Sequence, residues 1–325
     1  MKFMRRSWPY AVFLLLVAAG LLVARQHDSI LDWFVLRDYH APTAVATLAG
    51  EDTMTSYARR LFLVNKPQID TKQQFNQHCS NTSDAVVVLG CYAGNRQGIY
   101  IYNVTDPRLS GVREVTAAHE MLHQAYDRLS KKERTRIDAL LQSYYNSSAS
   151  ATIKEQYADY HKTEPGEELN ELHSVLGTEV ANLPPALEQY YKQYFTDRPR
   201  VAGYYQQYET EFTERQDQVD AYDAQLDALK LQIDAKRIDL AAREATISAG
   251  RQQLETELHN NQISAYNAAV PGFNAQITAY RDEVAVANQL IDQYNSILNQ
   301  RNAIAVQEQQ LQQALNSHEA AASAQ

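Results

Sequence analysis

Residues 110–129 read SGVREVTAAHEMLHQAYDRL, and the organisation of the whole chain follows from this stretch. Val115, Ala118, Leu122, Ala125 and Leu129 recur at helical spacing, and Ser110 stands where it can cap the start. Inside the helix lies His119-Glu120-Met121-Leu122-His123. Histidines four apart sit one turn apart on the same side of a helix, so both imidazoles can reach one zinc ion at about 2.0–2.1 Å without distorting the backbone. Glu120 is turned about 100° from His119, too far round to join them as a ligand yet able to reach a water beside the metal. The spacing therefore predicts His119 and His123 as metal ligands, Zn2+ as the cofactor and Glu120 as general base. A chance match is disfavoured because the histidines flank the apolar stripe and do not lie within it.

Working outward, Asp84–Tyr92 (DAVVVLGCY) and Ile99–Val104 (IYIYNV) are β-branched and aromatic runs around a turn with Gly94, Asn95 and Gly98. They predict a hairpin in a small sheet, its second strand serving as a cleft edge for an extended peptide. Ser130 to Glu133 forms a capping box that opens the helix KKERTRIDALLQSYY. Further on, residues 165–184 (PGEELNELHSVLGTEVANLP) carry Leu169, Leu172, Leu176, Val180 and Leu183 between two prolines, which predicts another helix. Glu171 falls nearly opposite that leucine stripe, with His173 beside it and Glu168 and Glu179 flanking.

The strand IYIYNV and the helix VTAAHEMLHQAYDRL together resemble the zincin metallopeptidases over residues 51–198. In the metzincin branch, Gly and a third His would follow His123 by three and six positions; Tyr126 and Leu129 stand there and exclude that branch. The gluzincin branch completes its site with a glutamate from a later helix. Asn170-Glu171-Leu172-His173-Ser174 is similar to that signature, which implies Glu171 as third zinc ligand, with His173 as its rival or as a core histidine. Thermolysin-like enzymes place an aspartate four residues later to orient a ligand histidine, whereas this chain has Val175. The other histidines, at 27, 40, 78, 161, 259 and 318, have no metal spacing.

From residue 199 to 317 the pattern changes. Val219, Leu226, Ile233, Leu240, Ile247 and Leu254 recur every seven residues, although the companion positions include Lys236, Arg243 and Gly250. Phe273, Ile277, Tyr280, Val284, Ala287, Ile291, Tyr294 and Leu298 alternate by four and three. With Val270-Pro271-Gly272 as the turn, two helices would fold back as an antiparallel coiled-coil hairpin, the second arm spanning roughly 65 Å. The charged companion positions predict an imperfectly sealed seam, open to a coiled-coil partner or a homo-oligomer. Asn267, Asn274, Asn288, Asn295 and Asn302 fix register or, more commonly, are solvated. Residues 318–325 read as a frayed tail.

At the other end, Lys2, Arg5 and Arg6 precede the uncharged stretch 7–24, long enough to cross about 30 Å of hydrocarbon. This predicts a cytoplasmic tail (1–6), a single-pass anchor in the cell membrane (7–24), a linker (25–50) and an extracytoplasmic remainder. A cleaved signal peptide ending near Leu22-Val23-Ala24 is the competing reading. Outside the cytoplasm Cys79 and Cys91 make a natural disulfide pair. The charge balance of 30 Lys plus Arg against 39 Asp plus Glu argues against a nucleic-acid partner, and the few Gly and Pro argue against collagen-like repeats.

The expected protein is thus α+β: a mainly helical, zincin-like catalytic domain with a small β-sheet, followed by the helical hairpin. The resemblance implies hydrolysis of a protein or peptide substrate. Two other readings stay open: a non-catalytic envelope scaffold, and a zinc amidase acting on cell-wall material. Arg59-Arg60 and Tyr190, Tyr191 and Tyr194 are possible substrate contacts, with surface and packing roles the commoner fate of such residues.

Overall fold

A computed structural model describes residues 26–79, 88–94, 96–163 and 165–317, together with Phe13 and Val17. The described chain is mostly helical with one three-stranded sheet. It divides into two compact units: residues through Glu209 together with those from Gln313, and Thr210–Gln312.

In the first unit a helix over residues 26–36 (α1) is followed by α2 (Thr43–Glu51) and α3 (Ser56–Leu63). The expected linker at 25–50 is corrected here. Val45, Leu48 and Ala49 lie in the core, and Asp32 is buried against Arg96 (2.8 Å) and Arg128 (2.9 Å). Next come β1 (Gln68–Asp70), α4 (Lys72–His78), β2 (Gly90–Tyr92) and β3 (Ile99–Tyr102), in the sheet order β1-β3-β2. β1 runs parallel to β3, and β2 pairs antiparallel with β3 through Gly90↔Ile101, Cys91↔Tyr100 and Tyr92↔Ile99. Alternation explains β3: Ile99 and Ile101 point into the core, Tyr100 and Tyr102 away from it. The expected hairpin forms, but its first strand is short, and residues 84–87 and Asn95 lie outside the described residues. A disulfide joins Cys79 to Cys91 on β2, with Cα atoms 6.1 Å apart.

The central helix is α5 (Val112–Asp127), which packs most extensively on α8 (Glu168–Thr178) and also against α2, α3 and the sheet. Enclosed on so many sides, it buries far more than one stripe, including Thr116, Glu120 and Gln124. Its N-cap is not Ser110, as expected, but Gly111 in a left-handed conformation (φ 100°). A Cβ there would lie 2.8 Å from the Tyr204 carbonyl oxygen, so only glycine brings the chain in at this angle. The Ser130–Glu133 capping box opens α6 (Lys131–Ser148) as the sequence predicts. α7 (Ala151–Thr163), α8 and α9 (Pro185–Tyr191) complete the layer, and α10 (Arg198–His259) starts in this unit.

The second unit consists of α10 beyond Glu209 and most of α11 (Ile263–Leu315). The two helices pair in opposite directions: Asp223 meets Arg301 at 3.0 Å, and Lys236 meets Glu283 at 2.5 Å. The turn is not at Val270-Pro271-Gly272. It lies at residues 260–262, where Asn261 takes φ 57° and the Gln262 and Asn261 amides donate to the Glu257 and Leu258 carbonyls. Asparagine tolerates the left-handed conformation that closes a helix, whereas Pro271 removes one backbone bond, a cost of about 3 kcal/mol that does not end a 53-residue helix. Lys236 and Arg243 both face Glu283, and Phe273 covers Gly250. Asn267, Asn274, Asn288, Asn295 and Asn302 on α11 are exposed.

The expected single-pass localisation is also corrected: among the described residues no helix is long and apolar enough to cross a membrane. The longest helices are too polar: α10 carries Asp223, Asp227, Lys230, Asp234 and Lys236 within four turns, and α11 is interspersed with asparagine and glutamine. The stretch proposed as the anchor, residues 7–24, lies outside the described residues except for Phe13 and Val17, as do residues 1–6 and 318–325.

Candidate metal centre

α5 presents His119 and His123 side by side, their ring centroids 4.9 Å apart. One ligand atom each from His119, Glu120 and His123 lies within 4.8 Å of the others, and this group could hold a metal ion. α8 brings Glu171 to the same place: Oε1 is 3.1 Å from His119 Nε2, and Oε2 is 3.4 Å from His123 Nε2. Although Glu171 lies opposite the leucine stripe, it is buried, because every residue from Asn170 to Thr178 is covered. Burial acts to lower the His119 pKa, but the Glu171 carboxylate outweighs it and raises that pKa. Reciprocally, burial acts to raise Glu171, and the His119 and His123 imidazoles hold it well below the usual carboxylate range.

His123 is oriented from behind. Its Nδ1 lies 3.1 Å from Asn170 Oδ1, and Asn170 Nδ2 donates to Glu167 Oε2 at 3.0 Å. An acceptor at Nδ1 favours a proton on that nitrogen, which would make Nε2 the atom that binds a metal. Asn170 thus fills the orienting role sought at Val175, which packs in the core. Tyr92 lies parallel to the His123 ring, with centroids 6.5 Å apart and planes 4° apart.

His173 is not part of this group. Fully buried, it meets the Tyr190 hydroxyl through Nε2 at 2.8 Å among the rings of Tyr126, Tyr191 and Tyr194. Burial lowers its pKa to about 3, as befits a neutral core imidazole. The tyrosines at 190, 191 and 194 are therefore packing residues, while Arg60 faces Asp32 and the Tyr57 ring.

Two cavities of about 420 Å³ each flank the group and share His119, Glu120, Tyr160 and Glu171 in their walls. β2, the outer strand, lines both cavities; β3, expected as the cleft edge, is the middle strand. Gly90 on β2 is required for close approach, since a Cβ there would lie 2.5 Å from Glu120 Oε1. A lone glycine in an apolar run is a legible sign of such an approach. Tyr160 on α7, which hydrogen-bonds Glu171, carries no sign in the sequence. Burial, with the Glu171 charge next, raises its pKa, so the phenol keeps its proton.

One of the two also has Glu179, just beyond the C-terminal end of α8, in its wall, together with Gln156, Tyr205 and Tyr208. Burial pushes Glu179 up to about 7, against the pull of His119, while Glu171 adds to the rise.

No family model matches the chain, no curated protein matches it, and no solved structure matches its fold.

Proposed function

We propose that the chain is a zinc-dependent metallopeptidase whose ion is held by His119, His123 and Glu171. The meeting of one carboxylate with both imidazoles carries this reading, because two histidines and a glutamate are a donor set used by hydrolytic zinc sites. Asn170, fixing the His123 ring, is the kind of outer support that ligand histidines require. Zinc, when bound, supplies a Lewis acid that polarises the scissile carbonyl and makes water nucleophilic near neutral pH.

The chain's own groups do the rest. Glu120, buried between α5 and Gly90, accepts the proton of the attacking water and delivers it to the leaving amine nitrogen. Tyr160 faces both cavities and donates its one O–H to Glu171, steadying that carboxylate beside the two histidines. The outer edge of β2 pairs with an extended peptide, aligning the bond to be cut.

Comparing cleavage of an unstructured protein by the zinc-loaded wild type and by Glu120→Ala tests this. We expect turnover to fall by about 10³-fold or more with zinc retained; equal activity would sink the peptidase reading.

We read the second unit as an antiparallel coiled-coil hairpin. Partial or full burial along Val219, Leu226, Ile233, Leu240, Ile247 and Leu254 supports this, as do the ion pairs between α10 and α11. Leu231, Ile238, Leu258 and Val306, exposed on its outside, suit a partner helix or a second copy.

A further inference from the structure

The cavity that has both His119 and Glu179 in its wall mixes two kinds of surface. Leu89, Val115 and Val175 supply apolar wall. Around Glu179 the wall is polar and aromatic. Glu179 is joined there by Gln156 and Tyr205, both of which hydrogen-bond it, and the Tyr205 and Tyr208 rings meet edge to face with centroids 5.3 Å apart. Gln156 Oε1 is buried and has no hydrogen-bond partner, so an acceptor is left over beside the carboxylate. Glu209 adds negative charge, Asp159 is paired with Lys162 at 2.8 Å, and no lysine or arginine stands among the described residues of this wall.

These features specify an occupant. Apolar wall suits an aliphatic stem, and a carboxylate, a spare amide oxygen and two phenol rings suit a cation with several N–H donors. His119, Glu120 and Glu171 line the same cavity, so such a side chain would belong to a residue close to the bond being cut. We propose that this cavity takes a lysine or arginine side chain of the peptide substrate, its stem against Leu89, Val115 and Val175 and its cation against Glu179. The proposal rests on the peptidase reading and deepens it from any peptide to one with a basic residue next to the scissile bond. A neutral pocket of the same shape would accept leucine or norleucine as readily; the Glu179 carboxylate makes the difference, since a bound positive charge offsets its desolvation and an apolar side chain does not.

The test uses the full chain carrying Glu120→Gln, loaded with zinc, and pairs of fluorescent decapeptides that differ only in one central residue, lysine or norleucine. Anisotropy titrations should show at least about tenfold tighter binding of the lysine peptide. That ratio should collapse toward unity when Glu179→Gln is added and recover in part with Glu179→Asp. Circular dichroism of each variant confirms that the helices are intact. Equal binding of the two peptides, or a lysine preference that survives Glu179→Gln in folded protein, overturns the proposal. Cleavage by the Glu120-containing chain separates the two levels: selective binding of lysine peptides that are never cut would refute the peptidase reading and leave the cation pocket standing.

Discussion

Two carboxylates on one stretch of chain behave in opposite ways. Glu171, in the first turn of α8, faces two imidazoles and is held ionised well below the usual range. Glu179, just past the last turn, lines the same cavity, but burial dominates and carries it up to about 7. The same side chain is thus made a constitutive anion at one end and a reluctant one at the other. The difference lies in the positive partners within reach, not in burial, which acts on both. On the proposed reading, Glu171 serves the metal centre and Glu179 receives a cation from the substrate.

Breaking this contrast at Glu171 should have the largest effect. Glu171→Gln keeps the shape but removes the charge, and we expect zinc affinity, measured by competition with a chromogenic chelator, to fall by at least about 100-fold. Glu179→Gln should leave that affinity within about threefold of the wild type. Equal losses in the two variants would mean that the ends of α8 do not differ as described.

A third carboxylate sharpens the comparison by having no hydrogen-bond partner. Asp52, at the end of α2, is fully buried, and neither of its oxygens has a hydrogen-bond partner. Burial raises its pKa well above the ordinary value, with Glu114 and Glu51 adding to the shift. In the unfolded chain an aspartate ionises near pH 4, so the folded state loses stability relative to the unfolded one as pH rises above about 4. Asp52→Asn should therefore stabilise the protein by about 1 kcal/mol or more at pH 7.5, with the gain shrinking at pH 4. Thermal unfolding at the two pH values reads this out. An Asp52→Asn gain that is no larger at pH 7.5 than at pH 4 would remove the unpaired charge from the account.

What could be read from sequence follows the range of the interactions concerned. His119, Glu120 and His123 are legible because one helical turn sets their relation. Glu171 is reached through the likeness of Asn170-Glu171 to a known signature. Helical periodicity alone places it opposite the leucines, a face that α5 and α7 then cover. Tyr160, Gln156 and the destination of Glu179 depend on which helices meet, so no local pattern announces them. Asn170 is a case between: present in the signature, its function appears only when its Oδ1 is seen against His123. In the second unit, Asn260-Asn261 closes the first helix where Pro271 had drawn attention, because a left-handed residue ends a helix more decisively than one missing donor.

The account rests on a bound metal, and elemental analysis of the purified full chain after zinc loading and gel filtration measures it directly. It predicts about one zinc ion per chain in the wild type and none in a folded His119→Ala/His123→Ala variant. A wild-type chain that retains no divalent metal after supplementation, or a double variant that retains as much, would contradict it.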